Sequence, residues 1–182
     1  MKTFAETDRI ILREIVATDA PAFFEMDADP EVHTYLGSTP LESIDQAIAA
    51  IKHIRAQYGE LGIGRWAIVD KETNEFVGWG GLKFRQDTVN GHTNFYDVGY
   101  RLRKKFWGKG YATESAKASI RYAFETLKLD AVFALANVDN IASRKALLKS
   151  GLKITAELTH EGIACHWFEI SRADYESVSI KV

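Results

Sequence analysis

The sequence predicts one α/β domain over residues 1–182, with helices on both faces of a mixed central sheet. Three observations carry that prediction. Strand-like segments at 63–70, 76–85 and 94–102 follow one another with only turn chemistry between them, as in an antiparallel meander. A helix-period segment separates the last of these from Ala131–Ala136, a short continuous apolar run of the kind that is buried on both faces. A strand, a crossover helix and a second strand make a parallel pair, so the sheet begins antiparallel and turns parallel once.

The elements can be justified in order. Arg9-Ile10-Ile11-Leu12-Arg13-Glu14 reads as a first strand, and Thr18 suits the N-cap of a helix over about 19–28. Asp29-Pro30 opens a short irregular piece through Tyr35. Ile44, Ala47, Ile48, Ile51 and Ile54 recur at helical spacing, predicting a helix over 41–58 that Gly59 stops. After the meander, Ala112, Ala116, Ile120, Ala123, Phe124 and Leu127 share one face of a helix from Gly110 to Leu127. Asp139-Asn140 starts another helix through Lys149, Gly151 suits a left-handed C-terminal cap, and 152–158 with 163–170 forms a closing hairpin.

Composition narrows the function classes. With 46% hydrophobic residues in 182, the chain can bury a substantial core. Its single cysteine, Cys165, rules out an internal disulfide framework and any cysteine-based zinc site. His33, His92, His160 and His166 show no ligand spacing, so no metal is expected. No apolar run approaches the roughly 18 residues of a membrane span, and Met1 through Asp8 lacks an apolar signal core, so a cytoplasmic protein is expected, as monomer or homodimer. The net charge of −2 conceals an asymmetry: residues 1–100 carry 9 Lys and Arg against 16 Asp and Glu, residues 101–182 carry 14 against 9. A nucleic-acid binder would be basic along a whole face. Here the cations concentrate in Arg101, Arg103, Lys104, Lys105 and Lys109, which points to one polyanionic ligand.

That stretch links the strand Phe95–Leu102 to a helix opening at Gly110. A helix start presents unpaired N–H groups, and Gly108 and Gly110 let a phosphate approach the backbone closely. The spacing excludes a P-loop, because Gly108 and Gly110 lack a glycine partner at the required distance. It also excludes a dinucleotide fingerprint, because Gly108-Lys109-Gly110-Tyr111-Ala112-Thr113 ends in Thr and Asp130 precedes its strand. The physical reading is a pyrophosphate site.

These residues resemble the GNAT superfamily of acyl-CoA N-acyltransferases, and within it the branch of ribosomal-protein alanine and serine N-terminal acetyltransferases. The family loop Gln/Arg-x-x-Gly-x-Gly/Ala appears as Lys105 through Gly110, and the branch's longer form as Phe106 through Glu114. Thr7 through Arg13 and the Asn140-Ile141-Ala142-Ser143 segment with Lys149 through Leu152 extend the likeness along the chain. The resemblance implies acetyl-CoA as co-substrate. Phe106, Trp107, Gly108, Lys109, Gly110, Tyr111, Ala112 and Thr113 would hold its pyrophosphate; Tyr100, Arg101 and Leu102 would pair through their backbone with the pantetheine. This requires the parallel strands to splay, suggesting a bulge near Gly99. Asn140 and Ser143 would line the thioester end, although Asn140 also suits helix capping.

Two departures follow. Lys105 stands at the Gln/Arg position, and Leu147 stands where many members carry a tyrosine general acid. The thiolate would then be protonated by Ser143, by water, or not at all. Asp97 is the first candidate for general base, with His166 and Glu114 behind it. The acceptor pocket is expected from His33, Tyr35, Trp79, His166 and Trp167, with Asp27, Asp29 and Glu31 as an acidic rim for a cationic amine. The expected reaction is acetyl transfer to a primary amine, foremost the α-amine of a protein N-terminus. A small-molecule amine acetyltransferase and a non-catalytic CoA-binding module are the alternatives.

Overall fold

A computed structural model describes residues 1–179; the last three residues of the expected 1–182 domain lie outside it. It contains one eight-stranded sheet in the order β1-β2-β3-β4-β5-β6-β8-β7. The strands are β1 (Thr3–Glu6), β2 (Ile10–Glu14), β3 (Trp66–Asp70), β4 (Phe76–Arg85), β5 (Phe95–Leu102), β6 (Ala131–Asn137), β7 (Lys153–His160) and β8 (Ile163–Ser171). The helices are α1 (Ala20–Asp27), α2 (Pro30–His33), α3 (Ile44–Glu60), α4 (Tyr111–Glu125), α5 (Ile141–Lys149) and α6 (Arg172–Ser179).

The expected mixed sheet is present, and every pairing but β5 with β6 is antiparallel. Three elements go beyond the sequence reading: β1, the short α2 inside the irregular piece, and α6. Two apolar clusters lie on opposite faces. On one, Ile10, Leu12, Trp66, Ile68, Val77 and Leu82 meet α4 through Ala116, Ile120, Ala123 and Phe124. On the other, Ala67, Val69 and Phe76 meet Phe23 and Met26 of α1 and Ala47 and Ile51 of α3. Each fully buried aliphatic or aromatic side chain contributes roughly 1.5–3 kcal/mol, so both faces are firmly covered.

The parallel pair is where the sheet opens. β5 stays with β4 through an unbroken register from Gly78↔Leu102 to Arg85↔Phe95, and β6 stays with β8 from Ala131↔Ser171 to Asn137↔Cys165. Between β5 and β6 the single pair is Asp97↔Phe133. The strands therefore fork toward their C-terminal ends. The bulge expected near Gly99 is absent, because each strand follows its own antiparallel partner and no extra residue is needed to part them. The irregular backbone lies directly opposite, at Gly81 with φ +104°.

Candidate functional site

The fork leads into the glycine loop. Gly108 and Gly110 have φ of +73° and +87°, in the left-handed region that glycine tolerates, and Gly110 is the N-cap of α4. A Cβ on Gly108 would meet nothing within 4 Å, so the loop stands open on that side. No side chain caps α4, and no N–H from Gly108 through Thr113 donates to another described residue. Six consecutive amides at a helix start are thus left without an acceptor, the arrangement an anion site uses, whereas the N–H groups of Phe106 and Trp107, also expected to bind the pyrophosphate, are taken by the carbonyls of Arg103 at 2.9 Å and Lys104 at 3.0 Å.

Neighbouring elements hold the loop in place. The Arg9 guanidinium donates to the Lys109 carbonyl at 3.0 Å, pairs with Glu114 and lies 4.8 Å over the Tyr111 ring. Tyr111 donates to Asp70 at 2.5 Å, and that hydrogen bond is the main reason Asp70 sits below the usual carboxylate range. Trp107 donates from Nε1 to the Leu102 carbonyl at 2.9 Å, folding the loop back on β5. Phe106 is buried in the core against Tyr111, whereas Trp107 is exposed. Glu114, weighed above as a base, is thus engaged by Arg9 and Thr7. Arg9 is the residue sequence reading missed here, although it stands inside the Thr7–Arg13 segment that carried the resemblance.

The basic stretch does something other than expected. Arg101 pairs with Asp27 at 2.9 Å, Arg103 with Glu25, Lys104 with Glu31, and Lys105 with Glu75 at 2.6 Å. Of the five clustered cations, Lys109 alone lacks an ion pair among the described residues. What the loop offers an anion is therefore chiefly backbone N–H groups, with Lys109 the one cation of the five not ion-paired among the described residues. The same pairs draw on the acidic rim: Asp27 is paired with Arg101 and Glu31 with Lys104, while Asp29 accepts from the Glu31 N–H at 2.9 Å as the cap of α2.

Alternation along β5 divides its side chains between the two faces. Tyr100 points to the α4 face, and its phenol donates to the Ser143 carbonyl at 2.9 Å and lies 3.2 Å from Ser143 Oγ. Burial pushes this phenol up to about 12, so it stays protonated through the neutral range. Asn140 caps α5 by accepting from the Ser143 N–H at 3.0 Å. Leu147 is buried in the core, so the tyrosine-acid position is filled by an apolar side chain.

Asp97, Gly99 and Arg101 face α1 and α3. Asp97 is buried at the fork, and both of its oxygens accept from Arg65 Nη2, at 2.9 and 3.1 Å. Arg65 Nη1 donates to the carbonyls of Gly81 at 2.6 Å and Asp97 at 3.0 Å. The guanidinium fills the space over Gly99, where a Cβ would lie 2.8 Å from Nη2. Beside it opens a cleft of about 260 Å³ lined by Asp27, Arg65, Trp79, Lys83 and Arg101 among others. Trp79 lies between two guanidinium groups, Arg65 at 5.4 Å and Arg101 at 5.1 Å from its ring.

Of the five residues expected around the acceptor, only Trp79 lines this cleft. His33 is buried, bonded to Ser38 Oγ and the Asp27 carbonyl, both at 2.9 Å. Trp167 is packed in an aromatic cluster with Phe95, Phe133 and His92, and Tyr35 is exposed. His166 sits 3.4 Å from Glu157 on β7. Arg65 and Lys83 carried no motif and were not singled out. Among the described residues no group of three His, Cys, Asp or Glu is placed to hold a metal, and no helix is long and apolar enough to cross a membrane.

Comparison with known proteins gives consistent matches. Residues 9–153 match the family described as "Acetyltransferase (GNAT) domain". The uncharacterized N-acetyltransferase YoaA of Bacillus subtilis (strain 168) is 36% identical over 148 residues, 81% of either chain. The FsC-acetyl coenzyme A-N(2)-transacetylase of Aspergillus fumigatus is 35% identical over 132 residues, 70% of this chain and 55% of that protein. A putative ribosomal-protein-serine acetyltransferase from Vibrio cholerae superposes with a TM-score of 0.73 at 19% identity, over 93% of this chain and 97% of its own.

Proposed function

Since the chain belongs to the GNAT acetyltransferase family, and so to acetyl-CoA-dependent N-acetyltransferases, we propose that it acetylates an α-amine presented from the α1–α3 face at the β5–β6 fork. The whole chain is taken as one acyltransferase domain. The observation that carries the reading is the fork itself: one register pair at Asp97↔Phe133, then two diverging strand edges running to the amides of Gly108 through Thr113. Beyond that pair Tyr100, Arg101 and Leu102 have no β6 partner, and this edge suits the amides of the pantetheine arm, which would add to β5 as a short strand up to Leu102, whose carbonyl already accepts from Trp107. Acetyl-CoA brings the activated acyl group; the residues bind and orient it and manage the protons.

The acceptor nitrogen attacks the thioester carbonyl, the new N–C bond forms as C–S breaks, and one proton leaves the nitrogen while the sulfur gains one. In this reading Asp97 takes the first proton. A carboxylate has about four acceptor sites and Arg65 Nη2 uses two, so the Asp97 oxygens can still receive a water or the amine. Ser143, whose hydroxyl lies 3.2 Å from the Tyr100 phenol, returns a proton at the sulfur end in this reading. A protein N-terminus is the leading acceptor, by the resemblance to ribosomal-protein acetyltransferases. A small-molecule amine is the second reading, favoured by the likeness to the FsC transacetylase.

The test is thiol release from acetyl-CoA with a panel of N-terminal peptides and small amines. Peptide-restricted turnover is the expected result. Turnover of small amines alone moves the protein to the second reading; CoA binding without any turnover leaves a CoA-binding module. If CoA far above a micromolar-scale Kd leaves the melting temperature unchanged, the whole reading fails.

A further inference from the structure

We infer that the acceptor carries a negative charge close to its reactive amine, a carboxylate that the cleft binds through Lys83 and Arg101. The inference rests on the N-acetyltransferase reading and supplies the acceptor chemistry that reading leaves open.

The argument starts from the charges on one face of β4 and β5. Register places Trp79 beside Arg101, Gly81 beside Gly99 and Lys83 beside Asp97. Arg65 lies across the two glycines, between the Arg101 end and the Lys83 end. Three cations therefore line one cleft, along about 13 Å of strand from Trp79 to Lys83. Two carboxylates answer them: Asp97 is taken by Arg65, and Asp27 by Arg101. Lys83 is exposed, with no ion pair or hydrogen bond among the described residues. The cleft thus keeps a net positive charge beside the fork.

Arg101 also has unused capacity. Only Nη1 makes a hydrogen bond, to Asp27, while Nε is buried without a partner. A guanidinium offers five donors in a fixed fork, so Nη2 remains for an anion while Nη1 holds Asp27. Its Cζ lies 5.1 Å over the Trp79 ring, a cation–π contact that with the Asp27 pair holds the group before any acceptor arrives. His53, also on the cleft wall, shares a ring-nitrogen contact with Gln57 at 3.1 Å and adds no carboxylate.

A second ammonium on the acceptor, as in a polyamine, would meet Lys83 and two guanidinium groups whose counter-ions are already committed. A carboxylate would meet one free ammonium and one half-used guanidinium. Two sources share this chemistry: the α-carboxylate of a free amino acid, and the side chain of an acidic first or second residue in an N-terminal peptide.

Matched pairs test it: an amino acid against its carboxamide, and peptides beginning with Asp or Glu against the same peptides beginning with Asn or Gln. Preference for one pair identifies the source. We expect kcat/KM about tenfold higher for the charged member, falling toward parity in Lys83→Met and in high salt. The CoA-induced rise in melting temperature should be unchanged in Lys83→Met, since Lys83 stands opposite Asp97, five residues along β5 from the Leu102 end that leads into the glycine loop. Equal turnover of charged and neutral members, faster turnover of polyamines, an unaltered preference in Lys83→Met, or turnover of none of the panel by a protein that binds CoA would each overturn the inference. Loss of CoA binding by the unmodified protein would instead remove the reading beneath it.

Discussion

The two sides of the fork are built from different materials. On the proposed donor side the groups offered to a ligand are backbone: the edge of β5 beyond Asp97↔Phe133 and the unpartnered N–H groups of Gly108 through Thr113. On the acceptor side they are side chains drawn from separate segments, with Asp27 at the end of α1, Arg65 just before β3, Trp79 and Lys83 on β4 and Arg101 on β5. Backbone amides need only a local conformation, which a short glycine-containing motif encodes. A side-chain cleft needs the whole sheet assembled before its members meet. One sequence motif can therefore announce the donor while the acceptor side stays silent.

The strongest way to break the comparison is to attack the donor side through its backbone. Gly110→Val puts a β-branched residue at φ +87°, in a conformation L side chains rarely adopt, with its Cβ 3.3 Å from Arg9 Nη2. CoA affinity should fall by at least about 100-fold, the loss of several amide contacts at roughly 1 kcal/mol each. Calorimetric titration with CoA checks this. Retained affinity would show that side chains, and not the loop backbone, hold the pyrophosphate.

Legibility followed the same division. The glycine loop, the parallel crossover and the α4 face could be read because each is a local pattern. Boundaries of β4 at Phe76–Arg85 and α4 at Tyr111–Glu125 lie within a residue or two of expectation. The charge asymmetry was visible, but its meaning was not. Counting cations in Arg101 through Lys109 suggested a field for a polyanion, whereas tertiary contact spends most of them on Glu25, Asp27, Glu31 and Glu75. Arg65 was missed because nothing around it forms a motif; its role exists only once Gly81, Asp97 and Gly99 lie beneath it. β1 was missed because Thr3–Glu6 is a short edge strand with too few residues to show a period.

On the acceptor side the next effect comes from Asp97→Asn. General-base removal commonly costs about 100-fold or more in kcat. Because the amide can keep one hydrogen bond to Arg65 but not the charge, some stability should also be lost. Measuring the rate across pH together with the melting temperature separates the two. A stability loss with kcat unchanged would assign Asp97 to holding Arg65 and leave deprotonation to solvent.

The smallest expected effect lies where the two sides join, at the Tyr100 phenol and Ser143. Tyr100→Phe removes a hydrogen bond to the Ser143 carbonyl and the group beside Ser143 Oγ. A net cost of about 1 kcal/mol is expected, with kcat reduced about fivefold if Ser143 returns the proton through a correctly turned hydroxyl. The pH dependence gives an independent reading. Burial raises the Tyr100 pKa from 10.0 to about 12, so the folded state holds this proton more tightly than the unfolded chain. The resulting stability is fully present below pH 10 and is lost as pH rises toward 12. Tyr58 is raised to about 12 as well, also chiefly by burial, and shares the window. Thermal melts between pH 9 and about 11.5 should therefore fall steeply for the unmodified protein and less steeply for Tyr100→Phe. Tyr58→Phe should show a similar flattening with a change in kcat that differs from that of Tyr100→Phe, because Tyr58 donates to the Arg65 carbonyl and not to α5. If both variants alter kcat equally, the Tyr100 to Ser143 contact supports the sheet in general and carries no proton to the sulfur.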